Sequence, residues 1–207
     1  MSRRLFGCLL EVVETLALTL IIFLLIQNFV AQPYRVEQQS MEQTLEPGQF
    51  VLVDKLTPHF RPYDRGDIVV FHPPGQPDSD PFIKRIIGLP GDRIEFKDGA
   101  VFVNGVKLDE PYVFDGQPTQ AGPIGALVVV PQGEYFGLGD HRQDSTDSRV
   151  FGPIEASEVI GRAWLRYWPL DAFSVLNVPT YANVPSAAGS SAAQSSGAST
   201  QRSTSLP

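Results

Sequence analysis

At 207 residues, 43% hydrophobic and 19% charged, the chain can bury one core of ordinary size plus accessory segments, but not two large domains. A net charge of −7 and a pI near 4.9, with no Lys/Arg cluster, exclude a nucleic-acid partner, because phosphate contact calls for a basic face. The lone cysteine, Cys8, excludes an intrachain disulfide, and only seven residues precede it, too few for a lipoprotein leader.

From Val12 to Ala31 the sequence reads VVETLALTLIIFLLIQNFVA, with Glu14 its only charge. Twenty such residues would cross about 30 Å of hydrocarbon as a helix. A core helix would need a polar face, yet only Thr19 interrupts the run from Leu16 to Ile26. A cleavable leader would have a shorter apolar region, and a cut after Ala31 would place bulky Phe29 where a small residue is wanted. The segment therefore reads as a retained anchor. Arg3 and Arg4 before it put the amino terminus in the cytoplasm and the rest outside, with Arg35 just past the far end narrowing the bias.

Behind the anchor, short runs rich in Val and Ile alternate with Pro and Gly, the pattern of an all-β domain. QFVLVDKL, DIVVFH and PFIKRIIGL are predicted strands, followed by a meander over Arg93–Leu108 in which Asp98-Gly99 and Asn104-Gly105 supply hairpin turns. ALVVVP, EYFGLG and VIGRAWLRYWPL complete the set, EASEVI forms a short helical turn, and no solenoid repeat is visible. After Tyr181 the chain turns to Ser, Ala, Gly, Gln and Thr and is expected to be disordered. The expected organisation is a short cytoplasmic segment 1–11, a transmembrane helix 12–31, an extracytoplasmic catalytic β domain 32–181 with a small inserted β region at 93–137, and the tail 182–207.

The chemistry-bearing residues are Ser40, in QQSMEQTL, and Lys84, in FIKRIIGLPGD. A serine hydroxyl is a weak nucleophile and needs a base. His59 sits in a Pro-rich loop, His72 ends a strand, and His141 lies in GDHR, so none has an obvious nucleophile–base setting. Strand alternation instead sets Phe82, Lys84 and Ile86 on one face and Ile83, Arg85 and Ile87 on the other. An ordinary lysine is neutral only about 0.04% of the time at pH 7, so its apolar neighbours would have to lower its pKa by several units. The bland alternative is a surface lysine whose stem snorkels over apolar residues.

Four blocks, in order, resemble bacterial type I signal peptidase, a membrane-bound serine–lysine endopeptidase that removes signal peptides from exported preproteins. SMEQTL resembles its nucleophile box, RGDIVVF the following strand, KRIIGLPGD the lysine box and GDHRQDSTDSR the closing box, over Tyr34–Leu170. The resemblance implies a mainly β, signal-peptidase-like domain behind one transmembrane helix, single-pass in the plasma membrane. It implies Ser40 as nucleophile and, through its own N–H, oxyanion donor, and Lys84 as general base. Ser145 would hydrogen-bond and orient the lysine, Asp147 and Arg149 would brace the loop as an ion pair, and Met41 would pack beside the nucleophile. No metal or cofactor is expected. The implied partners are signal peptides of exported preproteins, membrane lipid and the secretion translocon.

Two positions depart from the pattern. Gln43 replaces a proline common in the family, losing a fixed φ and gaining an amide donor. Gln38 stands where some members have a serine that completes the oxyanion hole, which puts the second donor in doubt. The resemblance also implies an extended substrate bound by strand addition beside the Ser40 loop, alanine preferred one and three residues before the cut, with Val51, Val53 and Ile86 as candidate pocket walls. Gly88, Gly91, Gly139 and Gly152 read as folding residues; Trp164, Tyr167 and Trp168 read as packing or as a membrane-interface contact. The competing functions are a self-cleaving serine–lysine repressor, disfavoured by the anchor and acidic balance, and an anchored binding module on an inactive protease scaffold.

Overall fold

The computed structural model describes residues 2–181 and 183–185, with side chains described from Glu11 onward apart from Ile26 and Asn28. Expectations for the rest of the tail lie outside the described residues. The chain opens with helix α1 (Ser2–Leu25), a turn of π-helix (Ile26–Val30), and then strand β1 (Ala31–Arg35). The helix thus begins before Val12, and Ala31 is already strand. From Val12 to Leu25 every large apolar side chain is about half exposed. Among the described residues, no helix is long and apolar enough to cross a membrane; Glu11 to Leu25 spans only about 22 Å at helical rise.

Among the described residues eleven more strands follow: β2 (Phe50–Asp54), β3 (Ile68–Phe71), β4 (Phe82–Gly88), β5 (Arg93–Lys97), β6 (Ala100–Val103), β7 (Val106–Lys107), β8 (Leu127–Val129), β9 (Glu134–Leu138), β10 (Ile154–Glu155), β11 (Val159–Trp168) and β12 (Ser174–Val175). Each predicted run contributes to a strand, because β-branched residues at alternating positions suit a pleated surface buried on at least one side. Every pairing is antiparallel. The main sheet has the order β1-β2-β11-β3-β4-β9-β10, with β12 paired to β11; a second sheet has the order β7-β6-β5-β8. Both meander turns are as expected: Asp98, Gly99, Asn104 and Gly105 all have positive φ, 52°, 73°, 52° and 83°.

Three apolar clusters fill the domain. One, built on Ile94, Val101, Val103, Phe136 and Leu138, joins the two sheets. A second, with Val51, Val53, Ile68, Met41 and Leu45, lies under the loop that follows β1. The third groups Phe71, Ile86, Tyr135 and Ile154. β4 runs between β3 and β9 in the interior of the main sheet, with Lys84 opposite Val69 and Arg85 opposite Ile68 and Leu138. Both of these cations are therefore carried into the core by the strand itself.

Candidate active site

The loop from Val36 to Gln49 is closed at its base by Val36 N donating to Gln49 O at 2.8 Å and Gly48 N donating to Val36 O at 2.7 Å. Its first turn is a 3-10 helix over Gln39–Met41, continued by Leu45 N donating to Met41 O at 2.7 Å. Met41 and Leu45 are wholly buried and hold the turn down from below, leaving Ser40 3% exposed at the edge of the core.

Lys84 reaches Ser40 from the strand. Its Nζ donates to Ser40 Oγ at 2.7 Å and to Ile83 O at 3.0 Å, and lies 5.1 Å from the centre of the Phe82 ring. Among the described residues no carboxylate forms an ion pair with it, and it is 0% exposed. Burial pulls its pKa down to about 8, against the opposing pull of Asp147 and Asp140 and with some help from Arg149. A pKa near 8 leaves on the order of a tenth of the amine neutral at pH 7, against about 0.04% for an ordinary lysine. The arrangement can take a proton from the hydroxyl it touches, which is the requirement for an activated serine.

The closing segment packs against this pair. His141 N donates to Ser40 O at 3.0 Å, tying the two loops backbone to backbone. Gly139 permits the approach, since a Cβ there would lie 2.6 Å from both Ser40 O and Ser145 Cβ. Asp147 caps the short helix α2 (Ser148–Phe151), accepts from Gly139 N at 3.0 Å and takes Arg149 through Nε at 2.8 Å and Nη2 at 2.7 Å. Arg149 Nη2 also donates to Arg142 O at 2.7 Å. Asp147 and Arg149 thus form an ion pair within the closing segment. Ser145 packs against Gly139 next to the Ser40 carbonyl, but its Oγ is buried without a hydrogen-bond partner and makes no bond to the lysine.

Of the expected pocket walls, Val51 lines a cleft of about 240 Å³ that runs between Tyr34–Gln38 and Asp80–Ile83. Met41, Val53 and Ile86 do not line it: the first two pack beneath the Ser40 turn and Ile86 in the cluster around Phe71. Burial on both faces of the sheet is what sequence alternation could not reveal. Gln38 lines the same cleft, exposed and in extended conformation. None of the three histidine rings is bonded to Ser40 Oγ: Nδ1 of His59 meets Lys55 O, that of His72 meets Ser79 O, and that of His141 lies 2.8 Å from Glu42 Oε2.

Several buried groups had no role in the sequence reading. Arg85 donates to Asp140 through Nε at 2.9 Å and Nη2 at 2.6 Å, while Thr44 Oγ1 donates to the same carboxylate at 2.5 Å. Burial works against the Arg85 charge, but Asp140 more than offsets it and the pKa ends raised. Arg142, also buried, donates to Glu110 and Thr119. Arg85 next to Lys84, and Asp140 and Arg142 inside the closing block, were visible as charges in motifs; their partners, far away in sequence, were not. Gln43 has φ of 77°, which proline cannot adopt, and its amide accepts from Asp115 N at 3.2 Å and donates to Pro111 O at 3.3 Å.

The profile of the signal peptidase family, peptidase S26, matches residues 9–168. A signal peptidase I of Leptolyngbya laminosa is 37% identical over 177 residues, 83% of this chain and 85% of that one. A signal peptidase IB of Staphylococcus aureus strain Mu50 is 34% identical over 179 residues, 80% of this chain and 92% of the other. A crystal structure of a signal peptidase I from Enterococcus faecalis V583 has 34% identity, covers 49% of this chain and 97% of that one, and superposes with a TM-score of 0.44. With most of its length matched both to the family profile and to these relatives, the chain belongs to the signal peptidase family, peptidase S26, and is a serine endopeptidase.

Proposed function

We propose that the protein is a membrane-anchored endopeptidase that removes N-terminal signal peptides from exported preproteins, with Ser40 as nucleophile and Lys84 as general base. The observation that carries this is the 2.7 Å contact between a wholly buried lysine amine and the Ser40 hydroxyl. Neutral Lys84 takes the Ser40 proton as Oγ attacks the scissile carbonyl. The resulting ammonium then protonates the departing amine, leaving an acyl-enzyme. A water, deprotonated by the neutral lysine, adds to that ester, and the proton returns to Ser40 Oγ as the acid product leaves. The Ser40 N–H is one donor to the developing oxyanion; Gln38 is the candidate for the second.

The cleft between Tyr34–Gln38 and Asp80–Ile83 supports binding of an extended substrate beside Ser40, and its modest volume favours small side chains before the cut. Ser145 would orient the lysine once the proton has moved, with Asp147 and Arg149 as positioning residues. The anchor reading rests on the apolar sequence through Ala31 and on the exposed apolar side chains of α1. It would leave the amino terminus cytoplasmic and the β domain outside the plasma membrane, in contact with lipid and within reach of the translocon. The full chain in detergent should cut a preprotein-like peptide after Ala-X-Ala, and extraction of membranes at alkaline pH should leave it in the pellet. Cutting that persists in Lys84→Ala would remove the proposed base; release from the membrane would remove the anchor.

A further inference from the structure

We propose that the loop at 109–119, which leaves the second sheet between β7 and β8, is a positioning element for the nucleophile, holding the Ser40 turn through Gln43 and His141. Its two ends are pinned by one side chain. Arg142, which donates through Nε to Gly139 O at 2.9 Å, reaches Glu110 at 2.6 Å with Nη2 and Thr119 with Nη1. The middle of the loop is joined to the closing segment by Phe114 N donating to Asp140 O at 3.0 Å.

From that fixed base the loop makes two contacts with the catalytic turn. Gln43, three residues past the nucleophile, has φ of 77°, an unfavourable conformation for a residue with a side chain. What holds it there is its amide, bonded on one side to Asp115 N and on the other to Pro111 O. Glycine or asparagine would take this φ at less cost; glutamine stands where an amide long enough to reach the loop is required. The second contact runs through His141, whose N–H grips Ser40 O and whose ring stacks on Phe114, centres 4.4 Å apart, with Nδ1 against Glu42. The turn is therefore held from the same loop at two points, Gln43 directly and the Ser40 backbone by way of His141. Without these contacts Gln43 would relax towards negative φ and carry Ser40 Oγ off its line to Lys84 Nζ. A misplacement of about 1 Å is enough to slow a reaction of this kind severely.

Two measurements test this, and only one of them depends on the proposed activity. In the full chain in detergent, Gln43→Ala and Phe114→Ala should each lower kcat for the peptide about tenfold with KM within about twofold. Phe114→Tyr, which keeps the stack, should restore kcat, and the double variant should lose little more than either single one because both act through one loop. Hydrogen exchange at the His141 amide, which reports directly on the bond to Ser40 O, should speed up about tenfold in both alanine variants while the β4 amides stay protected. Unchanged exchange at His141, or equal acceleration at His141 and throughout β4, overturns the proposal. If the wild-type chain fails to cut the peptide while His141 exchange behaves as stated, the peptidase reading fails and the positioning role stands.

Discussion

Lys84 and Arg85 are neighbours on β4, both within 1% of complete burial, and the strand sends them to opposite faces. On one face Arg85 meets the carboxylate of Asp140 with two parallel hydrogen bonds, stacks 4.0 Å over the Tyr112 ring and keeps its charge. On the other, Lys84 meets a hydroxyl, a backbone carbonyl and a phenyl ring, and its pKa drops to about 8. Burial is the same for both, so burial alone does not decide which way a cation's pKa moves. The difference lies in where the acids are engaged: Asp140 is occupied by Arg85 and Thr44, and Asp147 by Arg149, so neither carboxylate bonds to the amine. The lowered lysine pKa is sustained here by ion pairs that do not include it.

The largest effects should come from the two atoms in contact. Ser40→Ala and Lys84→Met should each reduce peptide turnover by about 10⁴-fold or more, read as single-turnover rates. The same lysine variant should make the domain more stable. With a folded pKa of about 8 and an unfolded value near 10.4, the unfolded chain holds the proton more tightly. The wild type therefore carries a penalty of about 3 kcal/mol below pH 8, which fades as pH rises towards 10.4. Denaturant midpoints at pH 7 and pH 10 should differ for wild type in that direction, and Lys84→Met should lose this dependence. On the opposite face, Asp140→Asn leaves Arg85 charged and half-partnered in the core and should cost about 3 to 5 kcal/mol, whereas replacing both by apolar residues should cost far less. Equal losses from the single and double changes would show that the two faces are not the contrast drawn above.

A smaller effect should follow from freeing Asp147. Arg149→Gln removes the cation that occupies this carboxylate and that itself opposes a proton on Lys84, so the lysine pKa should rise. In the wild type, activity should climb with pH through about 8 as the amine becomes neutral. In the variant that limb should move to higher pH by about one unit, with the plateau retained where the lysine is neutral. A lower plateau with an unmoved midpoint would make Arg149 a brace for the loop and nothing more.

The sequence was most informative where a local rule sufficed. Strand runs, the Asp98-Gly99 and Asn104-Gly105 turns, and the faces of Phe82, Lys84 and Ile86 all follow from period-two alternation and turn chemistry. Ser40 and Lys84 were legible as a pair only because each sits in a distinctive block; the separation of 44 positions carries no distance information. Contacts made across the fold were not legible. Val53 and Ile86 looked like pocket walls because a strand sequence does not say which face is covered by another layer. Gln43 read as a lost proline because its partners, Pro111 and Asp115, lie in a different sheet's loop. Arg85 and Asp140 are 55 positions apart, and neither gives any local sign of the other.

Ser145 is where resemblance and geometry part, and it supports the smallest and most discriminating expectation. Its hydroxyl is buried and unpartnered, a state that costs about 1 to 3 kcal/mol relative to a satisfied or absent polar group. Chains do not keep such a group for packing, because alanine would fill nearly the same space at no polar cost. A hydroxyl packed against Gly139, close to the Ser40 carbonyl, has a use if the amine turns from Ser40 Oγ towards it when it takes the proton, since the ammonium then needs a further acceptor. Ser145→Ala should accordingly leave the melting temperature unchanged or a few degrees higher, while kcat falls about tenfold with KM held. A lowered melting temperature with unchanged kcat would mean that the hydroxyl finds its partner in the resting protein and serves only the fold.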